Sequence, residues 1–120
     1  MNFKYTIDIT ADPEEVFTAL TNPFQIELWS GYPAEMKAEE GFVFSLWEGD
    51  ICGVNLEVKS NHLLVQEWFF GETDQRSIVT GPRTRVELEH TNIPDEVFEE
   101  IVEGWKEYYL GSIKGLLEMY

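Results

Sequence analysis

The central half of the chain constrains the fold more than any other part, because it is almost entirely strand-like. Turns of two to four residues, rich in Gly, Asn, Asp, Ser and Pro, separate its apolar runs. Connections this short join only antiparallel neighbours. The sequence therefore predicts an antiparallel meander, preceded by a brief strand around Met36. The five runs cover residues 42–47, 51–59, 62–70, 75–80 and 84–91.

The two ends of the chain supply the remaining elements. Residues 3–10 alternate apolar and polar side chains, which is typical of a half-buried strand. Asp12-Pro13 and Asn22-Pro23 each combine a capping residue with a proline suited to a first helical turn, so we expect two short helices there. From residue 98 the apolar side chains follow the spacing of one long amphipathic helix: Phe98, Ile101, Val102, Trp105, Tyr109, Ile113, Leu116, Leu117 and Tyr120.

These elements predict an α+β fold in one domain, residues 1–120. A twisted sheet of about seven antiparallel strands has one concave face to cover, and only the C-terminal helix is long enough to cover it. We therefore expect a helix-grip arrangement, with a curved sheet wrapped round that helix. Gly104, Gly111 and Gly115 each cost the helix about 1 kcal/mol relative to alanine. They indicate either close approach to the sheet or local plasticity.

The charge balance narrows the function classes. The chain has 23 acidic and 8 basic residues and a net charge of −15, which disfavours partners with phosphate backbones or anionic lipid surfaces. Cys52 is the only cysteine and cannot form an internal disulfide. The N-terminus does not resemble a signal peptide, and no apolar stretch approaches the ~18 residues of a membrane span. We expect a soluble, cytoplasmic protein without nucleic-acid or membrane partners.

Cys52 and His90 are the candidate nucleophile and base. Cys52 alternates with Val54, Leu56 and Val58, so we place all four on one apolar face and interpret the thiol as a small hydrophobe. A free cysteine in that position is rarely reactive.

His90 ends a strand whose same face carries Val86 and Leu88. A core or rim histidine is the favoured interpretation, and a catalytic base acting with nearby carboxylates is the weaker alternative. His62 follows Asn61 in a turn and is expected in solvent. The sequence contains no zinc-ligand spacing, calcium loop or glycine-rich phosphate loop. We expect neither an enzyme nor a cofactor or metal.

Aromatic residues carry the main functional prediction. The chain has 4 Trp, 5 Tyr and 8 Phe, many of them on the predicted strands or the final helix. Bulky rings between a curved sheet and a helix tend to leave a gap, and such a gap suits a small hydrophobic or amphipathic ligand. We predict non-catalytic binding of such a molecule, with Asn55 among its polar neighbours; the alternative is that the rings simply fill the core. The predicted ligand-binding residues are Phe44, Val54, Leu56, Gln66, Trp68, Phe70, Leu88, His90, Trp105 and Tyr109.

All three arginines, Arg76, Arg83 and Arg85, lie on one predicted hairpin. Arg83 and Arg85 are two residues apart and so share the solvent face with Glu87 and Glu89. Cross-strand ion pairs are the favoured interpretation. An edge that attracts an acidic partner is the alternative.

Several short motifs in fixed order resemble a known family. The order of elements and the stretch 12–21 followed by Trp29 resemble START-like (SRPBCC) helix-grip proteins. The later motifs resemble one family of that superfamily, the activators of the 90 kDa heat-shock chaperone ATPase. Bacterial single-domain members are the most similar in organisation. Glu40 stands where that family often has the first of two glycines. The resemblance implies a second candidate function, a co-chaperone-like interaction with the heat-shock ATPase, in a monomer or weak homodimer. The motifs are Asp12 to Thr21, Trp29, Glu40-Gly41-Phe42, 53–58, 63–68, Gly104-Trp105, Tyr108, Tyr109 and 113–117.

Overall fold

The structure is a computed structural model that describes residues 1–68, 71–80 and 83–119. The described residues form six strands and a set of helices, so the predicted α+β class is confirmed. Most elements begin and end close to the predicted positions, but the strand predicted over residues 75–80 begins at Gly71, so the turn predicted at residues 71–74 is wrong. Short 3₁₀ turns at Trp47–Gly49 and Asp95–Val97 complete the regular structure. The elements are β1 (Phe3–Ile9), α1 (Pro13–Thr21), α2 (Pro23–Ser30), β2 (Val43–Leu46), β3 (Ile51–Lys59), β4 (Leu63–Trp68), β5 (Gly71–Thr80), β6 (Arg83–Thr91), α3 (Phe98–Glu103), a π-helical turn (Gly104–Tyr109) and α4 (Leu110–Leu117).

The strands form one antiparallel sheet in the order β1-β6-β5-β4-β3-β2. The meander from β2 to β6 is confirmed, and β1 pairs with β6 at one edge. The predicted strand around Met36 is wrong, which reduces the expected seven strands to six. There the chain makes only a single bridge, in which the amides of Glu35 and Ser45 donate to each other's carbonyls at 2.9 and 3.0 Å.

The two short helices begin at prolines, as predicted, but only one has a side-chain cap. Asp12 makes no capping hydrogen bond to α1. Asn22 caps α2, where its Oδ1 accepts from the amides of Phe24 at 2.9 Å and Gln25 at 3.2 Å. Gly31 ends α2 with φ 84°, a left-handed conformation that suits glycine.

The predicted apolar face of β3 is wrong for Cys52, Val54 and Leu56, whereas Val58 does pack against the core. Pairing with β4 shifts between Asn55 and Glu57, and such a bulge leaves an extra residue on one strand. Asn55 is buried, whereas Leu56 is 45% exposed at the bulge. Val54 lies between the exposed residues Val43 and Glu67, on the outer face together with Cys52. Hydrogen bonds to Asn55 outweigh the apolar alternation that the prediction used.

The helical residues 98–117 run across the buried face of the sheet, as the amphipathic pattern predicts. Trp105 stacks on Trp68 of β4, its indole reaches His90 of β6, and Lys114 Nζ donates to the Asp8 carbonyl of β1 at 2.7 Å. Tyr120, at the end of the predicted helix, lies outside the described residues. Within the described residues, no helix is both long and apolar enough to cross a membrane.

The helical glycines do not approach the sheet. A Cβ at Gly104 or Gly115 would meet no atom within 4 Å. A Cβ at Gly111 would collide with the carbonyl oxygen of Lys106, five residues earlier in the same helix. This is the i→i+5 arrangement of a π turn, so Gly111 serves the helix's own irregularity. The close-approach alternative is therefore wrong for these three glycines, and local plasticity stays a prediction.

Candidate functional site

All four tryptophans converge on one aromatic cluster, although they are distant in sequence. Trp29 lies edge-on to Trp47 with ring centroids 5.6 Å apart, and Trp68 stacks on Trp105 at 5.0 Å. Tyr109 joins the two pairs, because its ring lies 4.8 Å from Trp29 and 4.5 Å from Trp105. Offset and tilted pairs at these distances are the favoured aromatic geometries. The cluster therefore forms one continuous aromatic wall from α2 to β4.

A cleft of about 300 Å³ opens along this wall, between the C-terminal helix and the beginning of β3. That volume is at the small end of the range for ligand sites. Trp68, Trp105 and Tyr109 are almost fully buried, whereas Tyr108 is 62% exposed at the mouth. The lining is Trp47, Asp50, Ile51, Trp68, Glu100, Ile101, Gly104, Trp105, Tyr108 and Tyr109.

The π turn supplies four of those ten lining positions. Its wider turn ends at Tyr109, whose φ of −102° and ψ of −86° depart from helical values. Turns of this kind are frequent at functional sites. The irregularity therefore coincides with the cleft.

A chain of buried hydrogen bonds fixes Trp68. Its indole N–H donates to Gln66 Oε1 at 3.1 Å, and Gln66 Nε2 donates to Asn55 Oδ1 at 3.0 Å. Asn55 Nδ2 then donates to the carbonyls of Lys37 at 2.8 Å and Glu39 at 3.2 Å. Buried amides that satisfy one another in this way rigidify a core. The chain connects the aromatic wall to the loop before β2.

Trp105 is fixed in a similar way. Its indole N–H donates to His90 Nδ1 at 3.0 Å, and the His90 ring lies edge-on to Trp68 at 5.1 Å. His90 is 0% exposed and shares its face with Val86 and Leu88, as predicted. This contact agrees with the interpretation of His90 as a core histidine and gives it a positioning task, since it orients a ring that lines the cleft.

Four buried side-chain atoms on β5 and the π turn have no hydrogen-bond partner among the described residues. They are the hydroxyls of Thr73 and Tyr109 and both amide atoms of Gln75. Burial raises the pKa of the Tyr109 phenol well above its ordinary value, and the adjacent Gln75 offsets part of that rise. Tyr109 and Gln75 are thus neighbours whose geometry falls short of a hydrogen bond. Unpaired buried groups usually cost about 1–3 kcal/mol each, so this region can accept a water molecule or a polar group.

The structure separates the ten predicted ligand-binding residues into distinct groups. Trp68, Trp105 and Tyr109 line the cleft. Gln66 and His90 lie behind them and hydrogen-bond two of their rings. The remaining residues do not line it: Phe44 and Leu88 are core residues, Val54 and Leu56 lie on the outer face, and Phe70 lies outside the described residues.

Seven lining residues are absent from the ten predicted ligand-binding residues. Ile101 and Tyr108 could have been found, because they lie four residues before and three after Trp105 on one helical face. Trp47 and Asp50 could not have been assigned to the cleft from the sequence pattern. Their positions are set by the 3₁₀ turn at residues 47–49, in which Trp47 and Glu48 have positive φ. The missed residues are Trp47, Asp50, Ile51, Glu100, Ile101, Gly104 and Tyr108.

The other candidate groups have different surroundings. Cys52 is a free, half-buried thiol on the outer face, and the described residues hold no cluster of three or more potential metal ligands. Arg85 Nε donates to Asp8 Oδ1 at 3.0 Å, which lowers the pKa of that carboxyl, and Arg76 pairs with Asp74 at 3.2 Å. Ion pairing on the solvent face is thus observed for two arginines, but Arg85 pairs with Asp8 of β1 rather than with Glu87 or Glu89.

Sequence comparison identifies relatives over most of the chain. Residues 10–118 match the family model described as "Activator of Hsp90 ATPase homolog 1-like protein". An "activator of 90 kDa heat shock protein ATPase homolog" from Dictyostelium discoideum is 32% identical over 92% of this chain and 31% of its own length. The human homolog 1 is 24% identical over 85% of this chain and 32% of its own length. The chain thus spans about a third of these curated relatives.

Structural comparison agrees. A crystal structure of an HSP90 activator from Plasmodium falciparum has a TM-score of 0.91 and 29% identity, and the match covers 98% of this chain and 96% of that one. The solution structure of an Aha1 dimer from Colwellia psychrerythraea has a TM-score of 0.84 over 98% of this chain and 96% of that one. At 19% identity the second match shows a shared fold alone.

Proposed function

The chain belongs to the activator of Hsp90 ATPase homolog 1-like family, and from that membership we propose that it is a non-catalytic partner of a 90 kDa heat-shock chaperone. The observation that carries the proposal is the match to the Plasmodium falciparum HSP90 activator, which extends over nearly all of both chains at 29% identity. A protein that stimulates another protein's ATPase needs a contact surface and no catalytic residues of its own. The aromatic wall and the acidic surface fit a binding protein.

The exposed face of α2 is the surface we propose for the chaperone contact. Phe24 is 77% exposed and Leu28, one helical turn later, is 66% exposed. Leu28 continues into a groove whose other apolar residues are Leu116 and Leu117. Contiguous exposed apolar surface of this kind is typical of protein interaction sites.

The test is co-purification with the chaperone from the same source, together with the chaperone's ATPase rate. We expect the protein to bind and to raise the rate, and the double variant Phe24→Ser/Leu28→Ser to lose most of both effects. Val43→Ser, which removes a 69% exposed side chain from the outer face of β2, is the matched control. Absence of both binding and stimulation by the wild-type protein would remove the proposal.

A second candidate function, binding of a small apolar or amphipathic molecule in the cleft, is favoured by one specific observation. The cleft is lined by aromatic side chains, and one of them, Tyr109, carries a buried hydroxyl without a hydrogen-bond partner. Sites for small molecules combine apolar walls with a few polar groups in this way. The volume of about 300 Å³ limits the ligand to a small molecule and excludes a whole lipid chain pair.

A thermal-shift screen of small apolar and amphipathic compounds tests this second function. A compound that occupies the cleft should raise the melting temperature of the wild-type protein and of Gly115→Leu, but not of Gly104→Leu. Both glycines have open space around a new side chain, but only Gly104 lines the cleft. If no compound raises the melting temperature, or if Gly104→Leu responds like Gly115→Leu, the cleft is not the binding site.

The cytoplasmic location and weak self-association predicted from the sequence remain part of the proposal. The free thiol of Cys52 supports a reducing compartment. The dimer described for the Colwellia psychrerythraea protein supports a test of self-association. Sedimentation across a hundredfold concentration range should show a monomer at the dilute end.

A further inference from the structure

We propose that the cleft selects an organic cation, a small molecule with an ammonium or guanidinium group, over neutral and anionic molecules of the same shape. This inference rests on the second candidate function, ligand binding in the cleft, and specifies the chemical class of the ligand. It follows from the charges at the mouth, the exposed aromatic surface beside them and the absence of basic groups from the lining.

The mouth of the cleft carries two carboxylates from different elements. Asp50 comes from the turn before β3 and Glu100 from α3, and both are exposed. Neither forms an ion pair with any described residue. The lining contains no lysine, arginine or histidine. The negative charge at the mouth is therefore not paired by any residue that the structure describes, and a cationic ligand would compensate it.

Partly exposed aromatic rings line the same cleft as these carboxylates. Tyr108 is 62% exposed and Trp47 is half-buried, so both present ring surface to a molecule entering the cleft. An aromatic face attracts a cation within about 6 Å of its centroid, and tryptophan is the strongest of the rings. Carboxylates and aromatic rings at one mouth favour the same ligand charge.

The same π turn already holds a cation against aromatic rings away from the cleft. Lys106 Nζ lies 5.8 Å from the ring centroid of Phe3 and 5.6 Å from that of Tyr5. Lys106 is not among the cleft residues, so the turn directs its own cation towards β1 and presents Trp105, Tyr108 and Tyr109 to the cleft. The lysine of the π turn is thus placed against Phe3 and Tyr5 and not against the rings at the mouth of the cleft.

Long-range electrostatics favour the same class. The net charge of −15 raises the local concentration of cations and repels anions such as fatty acids. A carboxylate-bearing ligand would meet two carboxylates at the mouth and no compensating cation in the lining. Electrostatic repulsion therefore disfavours a carboxylate-bearing ligand both far from the protein and at the mouth of the cleft.

Three probes of matched shape isolate the effect of charge: choline, which is cationic; 3,3-dimethyl-1-butanol, its neutral carbon analogue; and 3,3-dimethylbutyrate, which is anionic. Tryptophan fluorescence and the indole N–H resonances report binding, because three of the four tryptophans line the cleft. We expect choline to bind at least about fivefold more tightly than the alcohol, from the cation–π and carboxylate terms together. We expect no binding of the butyrate.

Variants separate the cleft from the charge of the whole protein. Asp50→Asn and Glu100→Gln should each weaken choline binding by about two- to fivefold and leave the affinity for the neutral alcohol unchanged. Glu99→Gln is the matched control, because it removes the same charge from the adjacent position of α3 outside the cleft. Tyr108→Ala should weaken choline binding by about two- to fivefold through the loss of one aromatic face.

Three results would overturn the inference. If the alcohol binds as tightly as choline, the cleft binds small molecules without selecting cations, and the ligand-binding function survives. If Glu99→Gln weakens choline binding as much as Glu100→Gln does, the attraction comes from net charge and not from the mouth. If none of the three probes perturbs the tryptophans, the cation inference is wrong for this cleft, while the chaperone proposal is tested separately by its ATPase assay.

Discussion

The buried face of the sheet carries two glutamines, Gln66 on β4 and Gln75 on β5, that are 0% and 2% exposed and yet differ in their bonding. Gln66 accepts from Trp68 and donates to Asn55. Gln75 has no partner for either amide atom, and its neighbour Tyr109 has none for its hydroxyl. The first amide belongs to a closed structural network that holds the aromatic wall. The second leaves bonding capacity unused next to a residue that lines the cleft.

This difference in hydrogen bonding distinguishes the part of the interior that maintains the fold from the part that can bind a ligand. Native proteins pair nearly all their buried polar groups, and those that remain usually take an ordered water. Gln75 therefore keeps bonding capacity that the polar end of a ligand could take up.

The largest expected effect comes from breaking the satisfied network. Gln66→Leu removes the acceptor of the Trp68 indole and the donor to Asn55 Oδ1, both in a fully buried region. We expect a loss of about 3 kcal/mol in the free energy of unfolding, since two buried groups lose a partner. Chemical denaturation measures it. A loss below about 1 kcal/mol would mean that the network is dispensable.

The second-largest loss of stability is expected from a substitution at the π turn, which places Tyr109 next to Gln75 of β5. Gly111→Ala places a methyl group against the Lys106 carbonyl and should force the π turn to rearrange, at a cost of about 2 kcal/mol. Gly115→Ala, in open helical surroundings, should instead stabilise by about 0.5–1 kcal/mol. Thermal unfolding compares the two variants. Equal effects would show that the π turn is not held by Gly111.

These regions also show how far sequence reasoning reaches. The alternation of Val86, Leu88 and His90 predicted the correct face of β6, because nothing interrupts the period of two in that strand. The same reasoning failed for β3, where buried hydrogen bonds to Asn55 and a bulge beside it override the apolar pattern. Side-chain networks between strands leave no local periodic signal, so they cannot be predicted from spacing.

The cleft was predicted in part for a related reason. Trp68, Trp105 and Tyr109 follow regular strand and helix periods and were placed correctly between sheet and helix. Trp47 and Asp50 reach the cleft through a turn with left-handed residues, which no periodic pattern indicates. Gly111 is one of three glycines in the predicted helix, but a glycine alone does not distinguish a π turn from close packing against a neighbouring element.

The third prediction applies the Leu substitution to the other glutamine. Gln75→Leu removes two unpaired buried atoms and should leave the free energy of unfolding unchanged or raise it by about 1 kcal/mol. The contrast with Gln66→Leu, measured under identical denaturation conditions, is the sharpest form of the comparison. A loss above about 1 kcal/mol for Gln75→Leu would indicate that an ordered water, or Tyr109 itself, bonds this amide in solution.

The smallest effect at neutral pH, and the most specific, is expected for Tyr109→Phe. Because the phenol is buried without a hydrogen-bond partner, its removal should change the free energy of unfolding at pH 7 by less than about 1 kcal/mol. The pKa of Tyr109 is raised on folding, so the folded state holds this proton more tightly than the unfolded state does. That contribution is complete below the unfolded pKa of about 10 and is lost as the pH rises from there towards the folded pKa. The wild-type protein should therefore lose stability above about pH 10 more steeply than Tyr109→Phe, whereas Tyr32→Phe, which removes an exposed phenol, should follow the wild type. Parallel curves for the wild type and Tyr109→Phe would show that the phenol reaches water or a bonding partner, and that the region around Gln75 is less enclosed than its burial implies.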